Sequence, residues 1–501
     1  MTGSLTLADL HGDADRPVPI ARRLADLGRE RGDEAAVVCG ERSISWADLD
    51  RQGNRVARAL AARGVRLGDL VTIALPNGVD FVVASAACWK LGAVPQPASA
   101  RLPAAELQAI IALADPPIVL ADQVLAVDRP VCDVPALLGE SGDDSPLPVR
   151  ISPSWKAPTS GGSTGRPKLI LAGQPGVVTR PSVERWRHEP HGTMVMPGPF
   201  YHNGPFISAM NGLFEGSRLI VMERFDAEGT LRLVERYRAT WLYLVPTMMS
   251  RIWRLPAEVR SAYDLSSLRT VWHLAAPCPA WLKEAWIGWL GPDVIWELYA
   301  GTEAQARTDI NGREWLEHRG SVGRVTYGAM RILGPAGEDV PPGEVGEVWM
   351  RGPDGAPPSY RYVGAEPRQR DGWESLGDMG WMDENGYLFL ADRSTDMILV
   401  GGENVYPAEV EAALESHPGI ASSAVIGLPD DDLGQRVHAI VQAPADLDLD
   451  QVRRHLAEQL ARYKHPRSFE IVAAPLRDEA GKVRRSQLRA DRIAQPAGGS
   501  G

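Results

Sequence analysis

The chain has 501 residues, too many for one hydrophobic core, so two or more domains are expected. Its 44% hydrophobic and 23% charged residues are those of a soluble globular protein, and a net charge of -11 excludes a general nucleic-acid or anionic-membrane binder. Cys39, Cys88, Cys132 and Cys278 are scattered with no C-x-x-C pair, which indicates neither a zinc site nor a disulfide framework and fits a reducing, cytoplasmic setting.

Taken in order, residues 1–14 carry acids and a histidine where a signal peptide needs an apolar core. Residues 20–32 have helical spacing, 35–39 reads as a strand, and 41–45 as a turn with a short strand. Ser45 is placed to cap a helix running to about residue 63. A strand at 70–75, a helix at 78–91, a strand from 94 and another at 118–121 follow. The apolar run 81–94 is too short to span a membrane and contains Lys90. This alternation predicts α/β layers with a mostly parallel sheet. Residues 140–152, acidic and Pro-bearing, read as a loop.

Further on, 195–204 ends a strand and turns. Residues 218–222, 241–245, 270–274 and 294–299 read as strands, the last ending at Ala300-Gly301-Thr302-Glu303. Residues 343–352 read as antiparallel β, and Asn385-Gly386 is a hairpin signal. After Asp392-Arg393 the texture changes to a compact pattern of strands and two helices, starting near Pro407 and Asp448. The fold expected is α/β. A large N-terminal domain at 1–392 has layered, mostly parallel sheets with helices plus a β subdomain. A small, mobile α+β domain spans 393–501, with a disordered tail from 494.

Between these elements lies Thr159-Ser160-Gly161-Gly162-Ser163-Thr164-Gly165-Arg166-Pro167-Lys168. Glycine admits close backbone approach, successive N–H groups make an anion nest, and hydroxyls and Lys168 add donors. A polyphosphate is the natural guest, although the spacing is not that of a Walker A loop. Taken alone, the stretch also reads as a Gly/Ser-rich surface turn. Of the 53 basic residues only six are lysine: Lys90, Lys156, Lys168, Lys283, Lys464 and Lys482. A lysine kept against an arginine background is one whose compact, strongly hydrated charge is needed.

With these stretches in view, the chain resembles the adenylate-forming superfamily of acyl-CoA synthetases, adenylation domains and firefly-type luciferases over nearly its whole length. Five motifs carry the resemblance, in the family's order. They are the phosphate loop Ser160 to Lys168; Tyr299-Ala300-Gly301-Thr302-Glu303, with alanine at the family's glycine; Gly377-Asp378-Met379-Gly380-Trp381; Asp392-Arg393-Ser394-Thr395-Asp396; and Gly481-Lys482-Val483-Arg484-Arg485. Thr395 stands where the family often has Asp or Lys at the hinge.

The resemblance implies that a carboxylic acid attacks the α-phosphate of ATP and pyrophosphate leaves. Two anions must meet, so cations and donors are needed where phosphoryl charge develops. Lys482 then bridges carboxylate, ribose and α-phosphate, and Thr302 donates to that phosphate. Glu303 holds Mg2+; as a bare residue it also reads as a helix N-terminal carboxylate. Tyr299 stacks on adenine beside Ala300, and Ala275-Ala276-Pro277 matches the small-residue turn that makes room for the base. Asp378 and Arg393 take the ribose hydroxyls.

For the second step, coenzyme A is the expected acceptor after rotation of the small domain. Gly401 and Gly402 match the loop that then enters the site, and Lys464 a stretch near the CoA nucleotide; that basic cluster also reads as a solvated face. His202 aligns with the aspartate that pairs the ammonium in α-amino-acid-activating members, so an amino-acid substrate is not expected. Tyr201-His202-Asn203-Gly204-Pro205 instead resembles the branch handling bulky acids such as bile or terpenoid acids, with room provided by Gly204, Gly212, Ala275 and Ala276.

The expected partners are a small carboxylic acid, ATP and CoA, with no nucleic acid and no membrane, in a cytoplasmic monomer or homodimer. Loading of a carrier protein, a luciferase-like oxygenase and a silent acyl-binding protein are the alternatives.

Overall fold

The computed structural model describes residues 17–161, 167–179, 185–393, 396–400, 403–430, 432–478 and 481–494. Its largest sheet has 14 strands. One part is parallel, in the spatial order Ala35–Cys39, Arg218–Val221, Thr193–Met196, Trp241–Leu244, Thr270–Leu274, Ile295–Ala300. Trp241–Leu244 and Thr270–Leu274 are buried at every position, as parallel strands covered on both faces must be.

Past Ile295–Ala300 the sheet becomes antiparallel through Arg307–Asn311, Ser321–Tyr327, Tyr387–Arg393, Trp373–Met382, Gly346–Arg351 and Ala329–Leu333. This antiparallel half corresponds to the β subdomain expected beside the parallel layers. The connections here include the short helix Gly312–Glu317, loops, and short turns, which can join only antiparallel neighbours. Asn385-Gly386 makes one of them, with Gly386 at φ +77°.

A second, parallel sheet orders Val94–Pro97, Leu70–Ile73, Val119–Leu120 and Val131–Cys132. Helix Trp46–Ala62 starts where Ser45 Oγ accepts the Asp48 N–H at 3.0 Å. Helix Val79–Leu91 is buried at every residue except Asp80, because an all-round apolar helix needs cover on all sides. Its one interior cation, Lys90, is paired with Asp50 at 2.5 Å. A small third sheet joins Tyr360–Val363, Pro167–Ala172 and Thr159–Gly161.

The C-terminal region has its own core, including Ile398, Val410, Leu414, Val425, Val441 and Leu456. Its sheet orders Glu403–Val405, Ile398–Val400, Gly434–Gln442 and Ser422–Asp430, with Ser468–Val472 beside Gly434–Gln442. Helices Pro407–Glu415 and Leu449–Gln459 stand where the sequence puts them, the second capped by Asp448. A further helix, Arg485–Ala494, was not foreseen; its pattern is mostly polar, and it buries none of its residues. The region docks on the larger part through Arg254, which donates to the carbonyls of Glu415 (3.2 Å), Pro418 (3.3 Å) and Ile420 (2.5 Å). Among the described residues no helix is long and apolar enough to cross a membrane.

Candidate active site

Ligands of open α/β sheets gather at the C-terminal ends of parallel strands. Four adjacent strands here deliver the expected residues to one such edge. His202 follows Thr193–Met196, and Thr247 follows Trp241–Leu244. Ala275-Ala276-Pro277 follows Thr270–Leu274, and Thr302-Glu303 follows Ile295–Ala300. Ala275 takes φ +76°, a left-handed conformation that costs a non-glycine residue on the order of 1 kcal/mol. The cost is borne in an exposed turn at the strand end, where the sequence expects the base of a nucleotide.

Glu303 does not open a helix. It sits in a turn, closed by the Ala304 N–H on the Gly301 carbonyl at 3.1 Å, before strand Arg307–Asn311. The residue is 5% exposed. Lys168 Nζ lies 3.3 Å from Glu303 Oε1, and the Tyr362 hydroxyl donates to the same oxygen. Lys168 also rests 3.8 Å from the centre of the Tyr362 ring. The pairing of Ser160 with Lys168 makes the expected phosphate loop the connection of a hairpin. Gly162, Ser163, Thr164 and Gly165 lie outside the described residues, as does the side chain of Ser160; Gly161 closes the first strand of that hairpin.

Tyr299 Oη donates to Asp378 Oδ2 at 2.7 Å, joining the strand-end motif to the expected ribose carboxylate. Asp378 pairs with Arg393 in register, though the Arg393 side chain lies outside the described residues. Gly401, Gly402 and Thr395 lie outside them too. Lys464 is held by both oxygens of Glu409, at 2.6 and 2.7 Å.

Lys482 comes to the same edge from the other end of the chain. A Cβ on Gly481 would stand 2.9 Å from Thr247 Oγ1, so the lysine loop lies directly on that strand end. Asp478 Oδ1 accepts the Lys482 N–H at 2.9 Å, and Arg477, bound to Glu411 and Glu415, donates to the Gly481 carbonyl at 3.2 Å. Burial, and then the Lys482 charge, pull His202 down to about 4, so its imidazole is neutral at pH 7.

Four residues outside the recognised motifs complete the site. Tyr362 braces Lys168 and Glu303. Asn77 pins the approach to His202, accepting from the Phe200 N–H (2.8 Å) and donating to the carbonyls of Gly198 (2.8 Å) and Met222 (3.1 Å). Lys156 Nζ donates to Asn203 Oδ1 at 2.7 Å. Only the scarcity of lysine marked Lys156 in the sequence, and Asn203 was read only as part of the run 201–205; Asn77 and Tyr362 carried no signal of their own.

The roominess expected at two glycines is not there. A Cβ at Gly204 would meet Tyr243 Oη at 2.7 Å and Leu274 Cδ1 at 3.1 Å; one at Gly212 would meet Met194 Sδ at 2.3 Å. Both glycines are places of close packing, already filled by neighbours.

A basic edge with a buried carboxylate and a converging lysine defines a catalyst of nucleotide chemistry. Residues 24–360 match the family described as AMP-binding enzyme, and 409–482 the AMP-binding enzyme C-terminal domain. A feruloyl-CoA synthase of Amycolatopsis sp is 34% identical, covering 91% of this chain and 95% of that one. A fatty acid–[acyl-carrier-protein] ligase of Streptomyces coeruleorubidus is 30% identical over 91% of this chain and 92% of its own. In fold, the chain is similar to o-succinylbenzoate CoA synthetase of Bacillus subtilis, with a TM-score of 0.80 at 24% identity, covering 95% of this chain and 98% of that one. The chain belongs to the AMP-binding enzyme family, the ATP-dependent adenylate-forming ligases that include the acyl-CoA synthetases.

Proposed function

We propose that this enzyme activates a carboxylic acid as its acyl-adenylate and transfers the acyl group to the thiol of CoA; for a bulky, mostly apolar, ring-bearing acid the support is the feruloyl-CoA synthase relative, not room at Gly204 or Gly212. The observation that carries the reading is the convergence of Lys482 on His202, while Lys168 and Glu303 stand together at the same sheet edge. The acid carboxylate and the α-phosphate repel, and Lys482 offsets that repulsion where they meet. Lys168 and the loop before it hold the outgoing pyrophosphate. Asp378, oriented by Tyr299, takes the ribose hydroxyls together with Arg393, and the turn at Ala275 admits adenine. Neutral His202 stands beside the acid, where a fixed anion would select an ammonium.

Glu303 fits a hard cation that takes one or two carboxylates and completes its shell with phosphate and water. It is buried, and a lysine neutralises it meanwhile. Magnesium there would supply charge neutralisation on the phosphates. Thr302 would add a donor on the α-phosphate.

The division into 1–392 and 393–501 is supported by the separate core from Ile398 onward. Rotation of the second part withdraws Lys482 and brings Gly401 and Gly402 in, with Lys464 near the CoA nucleotide. A cytoplasmic monomer or homodimer is the expected form. A second reading keeps the adenylate step and delivers the acyl group to a carrier protein; the acyl-carrier-protein ligase relative favours it. Lys168, Glu303, Asp378 and Lys482, all present, weigh against a silent acyl-binding protein. ATP–pyrophosphate exchange over a panel of acids tests the first step, and adding CoA or a phosphopantetheinyl carrier protein separates the acceptors. No exchange with any acid would overturn the reading.

A further inference from the structure

Lys156 is 6% exposed, yet no carboxylate lies within 4.0 Å of its ammonium among the described residues. Its one hydrogen-bond partner there is Asn203 Oδ1 at 2.7 Å, which leaves two of three N–H donors unused. The nearby charges are Glu303, which favours the ammonium, and Arg185, which opposes it; burial outweighs both and pulls the lysine down to about 7. An unpaired ammonium in a dry site is costly, so its retention needs a reason. The other buried lysines have theirs: Lys90 pairs with Asp50 and Lys283 with Glu297. Asn203 begins helix Asn203–Phe214 directly after His202, so the Lys156 ammonium is tied to the residue that adjoins His202.

We propose that Lys156, held by Asn203, is an oxyanion subsite that takes a carboxylate or carbonyl oxygen of the acid substrate. This rests on the acid-activating reading above. The oxygen comes from one of two sources: the reacting carboxylate, or a second acceptor carried elsewhere on the acid. With that oxygen in place the ammonium gains a partner and stays charged.

The test uses the full chain and the probes 3-phenylpropanoate, ferulate and 2-succinylbenzoate. In the exchange assay, Lys156→Gln should raise the KM for acid roughly 10- to 100-fold, the loss expected for one hydrogen bond to a charged group. The KM for ATP should move less than about 3-fold. An equal loss for all three acids assigns the reacting carboxylate. A loss confined to 2-succinylbenzoate assigns the second acceptor. Unchanged acid KM, or equal rises for acid and ATP, overturns the subsite.

Should Lys156→Gln not fold, Asn203→Ala gives the same discrimination, because it frees the lysine without removing it. A turnover-free readout keeps the two readings apart. With six lysines, protein labelled with 13C-lysine gives few Cε resonances, and the Lys156 signal should titrate at higher pH once acid is bound. No displacement by any of the three acids overturns the subsite. Absence of exchange in the unsubstituted protein, with the signal still displaced by acid, overturns only the activation reading.

Discussion

Tyr299 and Asp378 are joined by a 2.7 Å hydrogen bond from phenol to carboxylate. The bond links the last parallel strand, Ile295–Ala300, to the antiparallel strand Trp373–Met382 and orients a carboxylate that is free to rotate in any single strand. Tyr299→Phe keeps the ring and removes the bond. The KM for ATP should rise about 2- to 10-fold, as for one hydrogen bond of about 0.5–1.5 kcal/mol, with little change in acid KM. An equal effect on both substrates would count against a nucleotide role.

Lys482→Ala should lower adenylate formation by roughly 10²–10³-fold or more, the cost of losing a group aimed at developing charge. Thioester formation from a supplied acyl-adenylate should survive if, as proposed, Lys482 is withdrawn before that step. Measuring the two half-reactions separately decides it: a parallel loss in both would falsify the rotation.

Lys168 and Tyr362 meet at the Glu303 carboxylate, the proposed phosphate end of the site. Lys168→Ala should weaken ATP use more than acid use. Tyr362→Phe should do so to a smaller degree, because the ring under Lys168 stays and only the hydroxyl on Glu303 goes. If pyrophosphate exchange and ATP affinity were unchanged in both variants, Lys168 would be a solvated loop lysine.

Gly204→Phe is expected to destabilise the fold. The first added carbon already meets Tyr243 Oη at 2.7 Å, and Tyr243 is itself buried. Even Gly204→Ala should cost about 1–3 kcal/mol, the usual penalty of overpacking. Denaturant melts check this; an unchanged midpoint for Gly204→Ala would mean that the site is open after all.

His273 is fully buried, with both ring nitrogens lacking a hydrogen bond among the described residues and Glu297 Oε2 at 3.9 Å. Burial, and then the charge of Lys283, hold it well below its ordinary value. Its neutral form is favoured only in the folded chain. The unfolded chain therefore binds the extra proton first, near pH 6.5. The contribution to stability is complete above that pH and falls by up to about 1.4 kcal/mol per pH unit below it. Urea melts at pH 5.5 and 7.5 should show a smaller difference for His273→Gln than for the unsubstituted protein. Equal differences would place the pH dependence elsewhere.

The sequence alone determined what is local. Glycine spacing and hydroxyls marked the phosphate stretch, strand-end motifs marked Tyr299 to Glu303, and the helix cap at Ser45 and the helix start near Asp448 were legible because each depends on residues a few positions apart. The order of motifs carried the family for the same reason. What only the tertiary structure decided is what distant segments do when brought together. Lys156 reaches Asn203 across 47 positions, Tyr362 meets Glu303 across 59, and Asn77 pins Phe200 across 123. The antiparallel half of the large sheet depends on which strand ends become neighbours, and the packing at Gly204 depends on Tyr243 arriving from the next strand. A side chain's type limits what it can do, but its partner, its burial and its remaining donors are set by packing, which no single stretch of chain contains.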